Sequence, residues 1–510
     1  MVAAGDLAYY AKTQGWLRPT RAAHHFRTQS DRVALLWGDP VYVIAIDGGT
    51  ASVSAKGHHV ELPVADLMDT PLLSVYQIDC GQGDAALVHL PDDRWLLVDG
   101  GPPHDWSNSG KIAADFLRWK MFVDQSWKNE FGFRTGPFVL DAMVATHPDY
   151  DHYGGLTELT KAIRDKTLEV RTVYHCGLGR FTHATADGMS QLGPLTPGAN
   201  GSGHFLTALI DTFADVATYG QPANGRPWTL DSGYGGWLQE LAGLQGAGVG
   251  ELHRVSLQTG HLPDYAPGAS PVAVKVLGPV EETHDGSPAL RYLDSLSASK
   301  APSLTRNGHS VVLRFDYGNV RILLTGDLNF RSQALLLANV PRAEFQAHVA
   351  KACHHGSEDV SWTFLQAISP LVTMISSGDN EAYAHPRAKL LGLTGAFAQQ
   401  RVHGRPQEYL GLREDRLIAP LIYSTELSRS VELFEPQAVF DAQGNRIKSP
   451  EVQARGRTRR TGGRRAKLGD WLLGDRMVYG LINVRTDGRR IVMGVLNEGN
   501  KRFQVEELTV

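Results

Sequence analysis

Two histidines and two aspartates lie within six residues of one another in the segment THPDYDHYGG, residues 146–155. They are His147, Asp149, Asp151 and His152. The segment follows FVLDAMVAT, an apolar run typical of a buried strand, and precedes a helical pattern. A strand end fixes the backbone, so the loop can direct several imidazole and carboxylate groups at one point. This donor set suits a divalent transition metal ion.

The alternative for this segment is a capped turn with Asp151 as the helix N-cap. Gly154-Gly155 is expected to let the chain turn sharply into the helix.

Further candidate ligands follow other predicted strands. Asp327 follows the apolar run RILL, and the pair His354-His355 follows HVAKAC. His309 stands 18 residues before Asp327, a separation that fits one β-hairpin whose two ends lie side by side. We therefore expect His309 to face the same site, although a histidine in a surface turn would show the same spacing.

The chain lacks the patterns of several competing chemistries. It has no GxSxG segment, no cysteine–histidine nucleophile pattern and no GxxxxGK[ST] segment, which argues against serine or thiol hydrolases and nucleotide-driven motors. Only three cysteines occur, and no pair forms CxxC, so a reducing compartment is expected.

Length and composition predict a globular protein with several packed units. The chain has 510 residues, of which 42% are hydrophobic and 20% are charged. A formal net charge of −4 means that binding to nucleic acid would need a local basic patch. The chain shows no signal-peptide pattern and no apolar stretch that could span a bilayer. We therefore expect a cytoplasmic protein with no membrane partner, and the sequence leaves the oligomeric state open.

The chain divides into three expected units. Residues 1–70 combine a tether or short helix with four short β-rich runs, which predicts a small SH3-like β-barrel. In residues 71–400 strands alternate with helices, which predicts a layered α/β core, and residues 178–305 form an elaborated connection within it. Residues 401–510 are predicted as a mainly β C-terminal extension that carries a basic loop at 453–467.

The order and spacing of six motifs resemble the metallo-β-lactamase superfamily. These motifs are DCGQGDAALVHL, WLLVDGG, THPDYDHYGG, GHSVVLRFDYGNVRILLTGD, CHHGS and YAHP. They cover roughly residues 70–395, and the most similar branch is the hydrolase domain of ComEC-type competence proteins. The resemblance implies an α/β fold, the αββα sandwich of that superfamily, and a metal-dependent hydrolase. It does not imply a substrate, because this fold supports many chemistries.

The resemblance also implies one or two divalent metal ions, zinc or manganese, and their ligands. One ion would bind His147, Asp149 and His309, the second would bind Asp151, His152 and either His354 or His355, and Asp327 would bridge them. The other histidine of the pair would face the substrate. The family usually has a third histidine where this chain has Asp149. A carboxylate is a harder ligand than imidazole, so manganese or iron fits as well as zinc, and a single tightly held ion remains open.

Supporting and catalytic roles follow from the same resemblance. Asp99 of VDGG is expected to orient a ligand histidine, with a plain Asp-Gly turn as the alternative, and Asp84 of GQGD is expected at the edge of the site. Asp151 or the bridging Asp327 would orient a metal-activated hydroxide for attack. His385 of YAHP would contact a phosphate or the leaving group, unless it is an ordinary loop histidine.

A phosphodiester in DNA, RNA or a nucleotide is the expected substrate. A basic run, which its glycines and threonines predict to be flexible, supports this, and its cations are Arg455, Arg457, Arg459, Arg460, Arg464, Arg465 and Lys467. Such a segment can neutralise phosphates, or it can be a solvated loop. The first alternative function is the hydrolysis of a small ester, lactone or phosphocholine-type ester in a pocket closed by residues 178–305. The second is a non-catalytic, metal-stabilised scaffold.

Overall fold

Two β-sheets face each other in the centre of the molecule, and helices cover the outer surface of each. The computed structural model describes residues 2–22, 32–106, 112–121, 125–132, 136–182, 189–199, 203–223, 225–226, 228–293, 300–378, 385–398, 421–425, 481–497 and 502–510, with six short strand segments between 401 and 447.

The strands of the two central sheets are numbered here in chain order. They are β1 Leu73–Gln77, β2 Ala86–His89, β3 Trp95–Val98, β4 Phe138–Ala145, β5 Leu168–His175, β6 Val249–Arg254, β7 Ala273–Gly278, β8 Val312–Tyr317, β9 Val320–Leu324, β10 Val349–Lys351, β11 Val372–Ile375, β12 Leu421–Ser424, β13 Ile482–Thr486, β14 Arg490–Asn497 and β15 Arg502–Thr509. The first sheet has nine strands in the order β6-β5-β4-β3-β2-β1-β13-β14-β15, and the second has six in the order β7-β8-β9-β10-β11-β12.

The helices are also numbered in chain order. They are α1 Ala113–Trp119, α2 Ser126–Glu130, α3 Tyr150–Arg164, α4 Phe213–Tyr219, α5 Tyr234–Gly243, α6 Ala301–Gly308, α7 Phe330–Asn339, α8 Trp362–Ile368 and α9 Ala388–Phe397. None of the helices in the described part of the chain has the length and apolar character needed to traverse a bilayer.

Side-chain alternation along the strands produces the layers. In β9, Ile322 and Leu324 point into the core between the two sheets, whereas Leu323 points outward and packs with α7 and α8. Leu156 and Leu159 of α3 pack on the outer face of the first sheet, together with α1 and α5. The four layers are the αββα sandwich implied by the sequence.

Parallel pairing brings the carboxyl ends of several strands to one edge of the sandwich. β3, β4, β5 and β6 are parallel neighbours in the first sheet, as are β9, β10, β11 and β12 in the second. The loops that leave these ends therefore meet, which is where open α/β sheets place their ligand sites.

The N-terminal residues form a small β unit with more strands than expected. Residues 7–22, expected to be a tether or short helix, form three strands instead, because they pair with the later strands of the unit. The strands are Leu7–Tyr10, Gln14–Leu17, Pro19–Ala22, Val33–Leu36, Pro40–Asp47, Thr50–Ala55, His58–Pro63 and Leu67–Met68.

The connection at 178–305 contributes to both central sheets as well as to a separate small sheet. β6 and β7 lie in this connection and form one edge of each central sheet. The small five-stranded sheet contains Met189–Ser190, Gly193–Pro197, His204–Leu206, Glu282–His284 and Ser287–Arg291.

The C-terminal extension is β-rich in its described parts, and its last three strands join the first central sheet. β13 pairs with β1, so β13, β14 and β15 continue that sheet. The described segments before them are β12, which joins the second central sheet, and the short strands Arg401–Val402, Gln407–Tyr409, Leu412–Glu414, Leu417–Ile418, Val439–Phe440 and Arg446–Ile447.

Candidate metal centre

The four-residue motif His147, Asp149, Asp151 and His152 lies between β4 and the first turn of α3. Asp149, and not Asp151, is the N-cap residue of α3, and within the described structure it makes no side-chain capping bond. Its carboxylate is therefore available for another partner.

The glycines of the motif serve close packing, which corrects the expected sharp turn. Gly154 and Gly155 lie inside α3 and do not have a positive φ. A Cβ atom on Gly155 would lie 1.9 Å from the carbonyl oxygen of Gly100. Glycine thus lets the first turn of α3 press against the loop after β3.

Four buried side chains from different loops place one ligand atom each within 4.8 Å of one another: Asp84, His152, Asp327 and His355. The Nε2 atoms of His152 and His355 lie 3.3 and 3.1 Å from Oδ2 of Asp327. Oδ2 of Asp151 lies 3.4 Å from Nε2 of His355. The geometry thus brings together donors from the ends of β4, β9 and β10.

The buried atoms that lack a hydrogen-bond partner among the described residues include one atom from each of three residues of this centre, Nε2 of His147, Oδ1 of Asp84 and Oδ1 of Asp327. Nδ1 of His147 lies 3.1 Å from the hydroxyl of Thr146 and 3.3 Å from that of Ser310, and its ring centroid lies 4.0 Å from that of His152. An unsatisfied buried polar atom costs about 1–3 kcal/mol. Imidazole nitrogens and carboxylate oxygens together fit a divalent transition metal ion, which would satisfy such atoms.

Asp99, expected to orient a ligand histidine, lies behind His152. Its Oδ2 lies 2.8 Å from Nδ1 of His152, and it accepts hydrogen bonds from the backbone and hydroxyl of Thr146. This contact places the proton on Nδ1 and directs Nε2 of His152 toward the centre.

The structure distinguishes the two adjacent histidines that the sequence left equivalent. His355 is 1% exposed, and its Nδ1 lies 3.1 Å from the carbonyl of Ser376, so its Nε2 faces the centre. The side chain of His354 is 30% exposed, with Nε2 3.6 Å from Asp327. Both residues have left-handed backbone, with φ of 48° and 53°. His355 thus presents Nε2 to the buried donors, whereas His354 lies at the more exposed edge of the centre.

Burial and opposite charges together set the electrostatics of the centre. Burial, assisted by His152, lowers the pKa of His147 to about 4, so its imidazole is neutral near pH 7. Burial would lower the pKa values of His152 and His355, but the Asp327 carboxylate raises both well above their usual value. Burial would likewise raise the pKa of Asp327, and His355 and His152 hold it well below its usual range.

Comparisons with known proteins agree with this geometry. Residues 78–182 match the family described as Metallo-beta-lactamase superfamily. The chain is 33% identical over 99 residues to ComE operon protein 3 of Bacillus subtilis (strain 168), covering 19% of this chain and 12% of that protein. It is 36% identical over 92 residues to Competence protein ComA of Neisseria gonorrhoeae, covering 18% of this chain and 13% of that protein. The chain contains a metallo-β-lactamase domain.

The chain spans only about an eighth of the length of these two relatives. Among solved structures, the metallo-β-lactamase fold protein YhfI of Bacillus subtilis is similar, with 11% identity, a TM-score of 0.30, and coverage of 64% of this chain and 93% of that one.

His309 does not join the centre of the metallo-β-lactamase domain, which corrects the expected ligand set. Its Nε2 lies 2.7 Å from the carbonyl of Arg291, and the residue is buried as the C-cap of α6. The next residue, Ser310, contacts both His147 and the backbone of Asp327. The prediction from the hairpin spacing is thus wrong by one residue, which is enough to turn a side chain away from the site.

Asp149 is paired with a cation that sequence reasoning missed. Nε of Arg306, from α6, contacts Oδ1 of Asp149 closely, whereas Oδ2 of Asp149 lies 3.9 Å from Nε2 of His147. Arg306 stands three residues before His309, and no recognised motif marks it.

Lys351 is a second cation in the metallo-β-lactamase domain's centre that sequence reasoning missed. This side chain is 3% exposed; its Nζ contacts Oδ2 of Asp84 closely and lies 3.6 Å from Oδ1 of Asp327. It also donates a hydrogen bond of 2.9 Å to the carbonyl of Gly326. One sequence signal could have found this cation: a lysine in an otherwise apolar strand, three residues before His354.

His385 lies beside His354 and His355. Its ring centroid lies 5.8 Å from that of His354 and 6.2 Å from that of His355, and its Nδ1 lies 3.5 Å from Nε2 of Gln82. Burial, followed by His355, lowers the pKa of His385 to about 3. The seven predicted cations of the basic run at 453–467 lie outside the described residues.

Proposed function

We propose that this chain is a metal-dependent phosphodiesterase that acts on nucleic acids or nucleotides. The observation that carries the proposal is a set of buried ligand atoms without a hydrogen-bond partner among the described residues, Nε2 of His147 and Oδ1 of both Asp84 and Asp327, beside the grouped donors of the centre. A divalent ion bound there would supply an activated water and stabilise negative charge on a phosphoryl oxygen.

Cationic groups near the centre support an anionic substrate. Arg306 lies against Asp149, and Nη1 of Arg180 lies 3.5 Å from the carbonyl of Pro148 in the same loop. Lys351 adds a buried positive charge. Guanidinium groups bind phosphate through charge-assisted hydrogen bonds, which neutral esters would not use.

Two residues at the solvent side have suitable positions for proton transfer. The side chain of Asp151 is 23% exposed, so it contacts both His355 and solvent and can accept a proton from the attacking water. His354, also partly exposed, can donate a proton to the leaving oxygen. His385, packed beside it, would contact a phosphate oxygen.

The assay compares bis(p-nitrophenyl) phosphate, p-nitrophenyl acetate, single- and double-stranded DNA and RNA, each with Mn²⁺, Zn²⁺ or Mg²⁺. We expect metal-dependent cleavage of the phosphodiesters, abolished in Asp151→Asn and unchanged in Asp92→Asn, an exposed aspartate paired with Arg94. Cleavage of the acetate alone would favour the small-ester hydrolase. Bound metal without cleavage of any substrate would favour the scaffold.

His354 allows a second test of the same proposal. His354→Ala should lower kcat more than metal affinity, because the side chain lies at the rim. His253→Ala is a matched control, since that partly exposed histidine pairs with Glu251 far from the motif loops in sequence. Loss of bound metal in His354→Ala would contradict this role.

The basic run at 453–467 is proposed as a contact for polymeric substrates. Replacing its seven cations by glutamine should flatten the dependence of nucleic-acid binding on salt and spare the cleavage of bis(p-nitrophenyl) phosphate. An unchanged salt dependence would show that the run is an ordinary solvated segment.

A further inference from the structure

We propose that the centre holds a single metal ion, and that Arg306 and Lys351 provide fixed positive charge where a second ion would otherwise bind. This deepens the proposed function, and it rests on that function only where substrate binding is concerned. Both cations contact carboxylates of the centre, Asp149 and Asp84, that could otherwise face a metal ion.

The first step is the loss of ligands on the side of His147. The resemblance implied that His147, Asp149 and His309 hold one ion together. In the structure Arg306 forms an ion pair with Oδ1 of Asp149. Nε2 of His309 donates a hydrogen bond to the carbonyl of Arg291. On this side Nε2 of His147 and Oδ2 of Asp149 remain, 3.9 Å apart. One imidazole and one carboxylate already paired with Arg306 fall short of the three ligands that the resemblance implied.

The second step is the pairing of Asp84 with Lys351. Asp84 lies with His152, Asp327 and His355, but its Oδ2 is in close contact with Nζ of Lys351. The ammonium group is buried and anchored by the carbonyl of Gly326, so it is held in place. Lys351 therefore holds one oxygen of Asp84, and the other, Oδ1, lies 3.2 Å from Nδ1 of His355.

The donors that neither cation holds include one group for one ion. His152, Asp327 and His355 place one ligand atom each within 4.8 Å of one another, and Oδ2 of Asp151 lies 3.4 Å from Nε2 of His355.

Charge balance agrees with this count. Four carboxylates face the centre (Asp84, Asp149, Asp151 and Asp327), and two cations, Lys351 and Arg306, pair with two of them. Two of these four carboxylates therefore lack a protein cation, and Asp99, buried behind His152, adds a third negative charge. A second divalent ion would leave a buried excess of positive charge, which is costly in a low-dielectric site.

Arg306 would also contact the substrate. Its contact with Asp149 uses Nε, which leaves the two Nη groups to bind a phosphate oxygen. Arg306 would thus bind the phosphate where a second metal ion does so in a two-metal centre.

The test uses the full-length chain, stripped of metal and titrated with Mn²⁺. We expect one ion per chain by calorimetry and elemental analysis, and an electron paramagnetic resonance spectrum of an isolated Mn²⁺ ion. Asp149→Asn should keep that ion, whereas Asp151→Asn, two residues away in the same loop, should lose it. Two ions per chain, an exchange-coupled Mn²⁺ pair, or loss of metal in Asp149→Asn would overturn the proposal.

The substrate arm compares Arg306→Gln with Arg306→Lys in the metal-loaded protein. We expect Arg306→Gln to raise KM for bis(p-nitrophenyl) phosphate at least about tenfold, with a smaller change in kcat and metal content still at one ion. Arg306→Lys should recover part of this loss. An unchanged KM would remove Arg306 from substrate binding. One bound ion with no hydrolysis in the wild type would contradict the proposed function and leave the single ion standing.

Discussion

Individual side chains in this centre are held by partners that are not themselves ligands. Asp99 fixes the ring of His152, Ser376 fixes His355, and Thr146 with Ser310 fixes His147. Each imidazole therefore presents one defined nitrogen, which lowers the cost of assembling the site when an ion binds.

The substitution Asp99→Asn tests whether the carboxylate of Asp99 supports His152 as a ligand. An amide can still contact His152, but it loses the charge that favours the imidazole as a ligand, so metal affinity should fall about 10–100-fold. Calorimetric titration with Mn²⁺ measures the change, and Asp92→Asn is the control. An unchanged affinity for Mn²⁺ would mean that Asp99 stabilises only the backbone turn in which it lies.

Lys351→Met tests the buried cation. Removing it leaves Asp84 without its cation, and breaking a buried ion pair costs about 3–5 kcal/mol, measured by urea unfolding of the metal-free chain. Lys275→Met is the matched control, because Lys275 pairs with Glu344 near the surface and should cost about 1 kcal/mol or less. Equal losses in the two variants would contradict the role of Lys351.

At the residue scale, the sequence predicts well which side chains of the dense motif lie at the centre. It predicts poorly the ion pairs that join residues far apart in the chain. His147, Asp151 and His152 stand out because four donors crowd one short segment. Lys351 and Arg306 show no such crowding, and their partners Asp84 and Asp149 lie far away along the chain. Only the fold makes these pairs visible.

At the scale of elements, the ends of several strands and the first turn of one helix hold the side chains of the centre in place. β4, β9 and β10 deliver their following loops to the same edge, and α3 carries Asp151 and His152 in its first turn. Strand periodicity predicts this edge well. It does not predict single-residue register, which is why Ser310 lies at the position expected for His309.

Gly155→Ala tests whether the packing of α3 positions the ligands. The added Cβ would meet the carbonyl of Gly100, so stability should fall by about 1–3 kcal/mol and metal affinity should weaken as the first turn moves. Gly392→Ala in α9 is the control, since a Cβ atom on Gly392 would have no described atom within 4 Å, and it should stabilise by about 0.5–1 kcal/mol. Normal metal affinity in Gly155→Ala would contradict the positioning role.

At the scale of the whole molecule, the two ends of the chain meet on the metallo-β-lactamase core. Asp39 of the N-terminal unit forms buried ion pairs with Lys56 and with Arg485 of β13, and Trp37 packs near β14. Pairing of β13 with β1 across some four hundred residues leaves no local signal, so the sequence predicts the β content of the C-terminal part but not its place in the sheet.

Asp39 gives this contact a defined pH dependence. Burial would raise its pKa, but Lys56 and Arg485 outweigh burial and lower it from 3.8 to about 2. The ion pairs therefore stabilise the folded chain fully above about pH 4, by about 2 kcal/mol, and lose this contribution as pH falls toward 2. The stability difference between wild type and Asp39→Asn, from urea unfolding at several pH values, should shrink over that interval. A difference that stays constant would contradict the assignment.

The most direct test of the central claim follows cleavage of bis(p-nitrophenyl) phosphate while Mn²⁺ is added stepwise to the metal-stripped full-length chain, with bound metal measured in the same samples. We predict that the rate rises in proportion to the bound ion and reaches its plateau when the site is full, and that His355→Ala shows neither binding nor cleavage. A wild-type chain that fills its site with metal and leaves the phosphodiester intact would contradict the account.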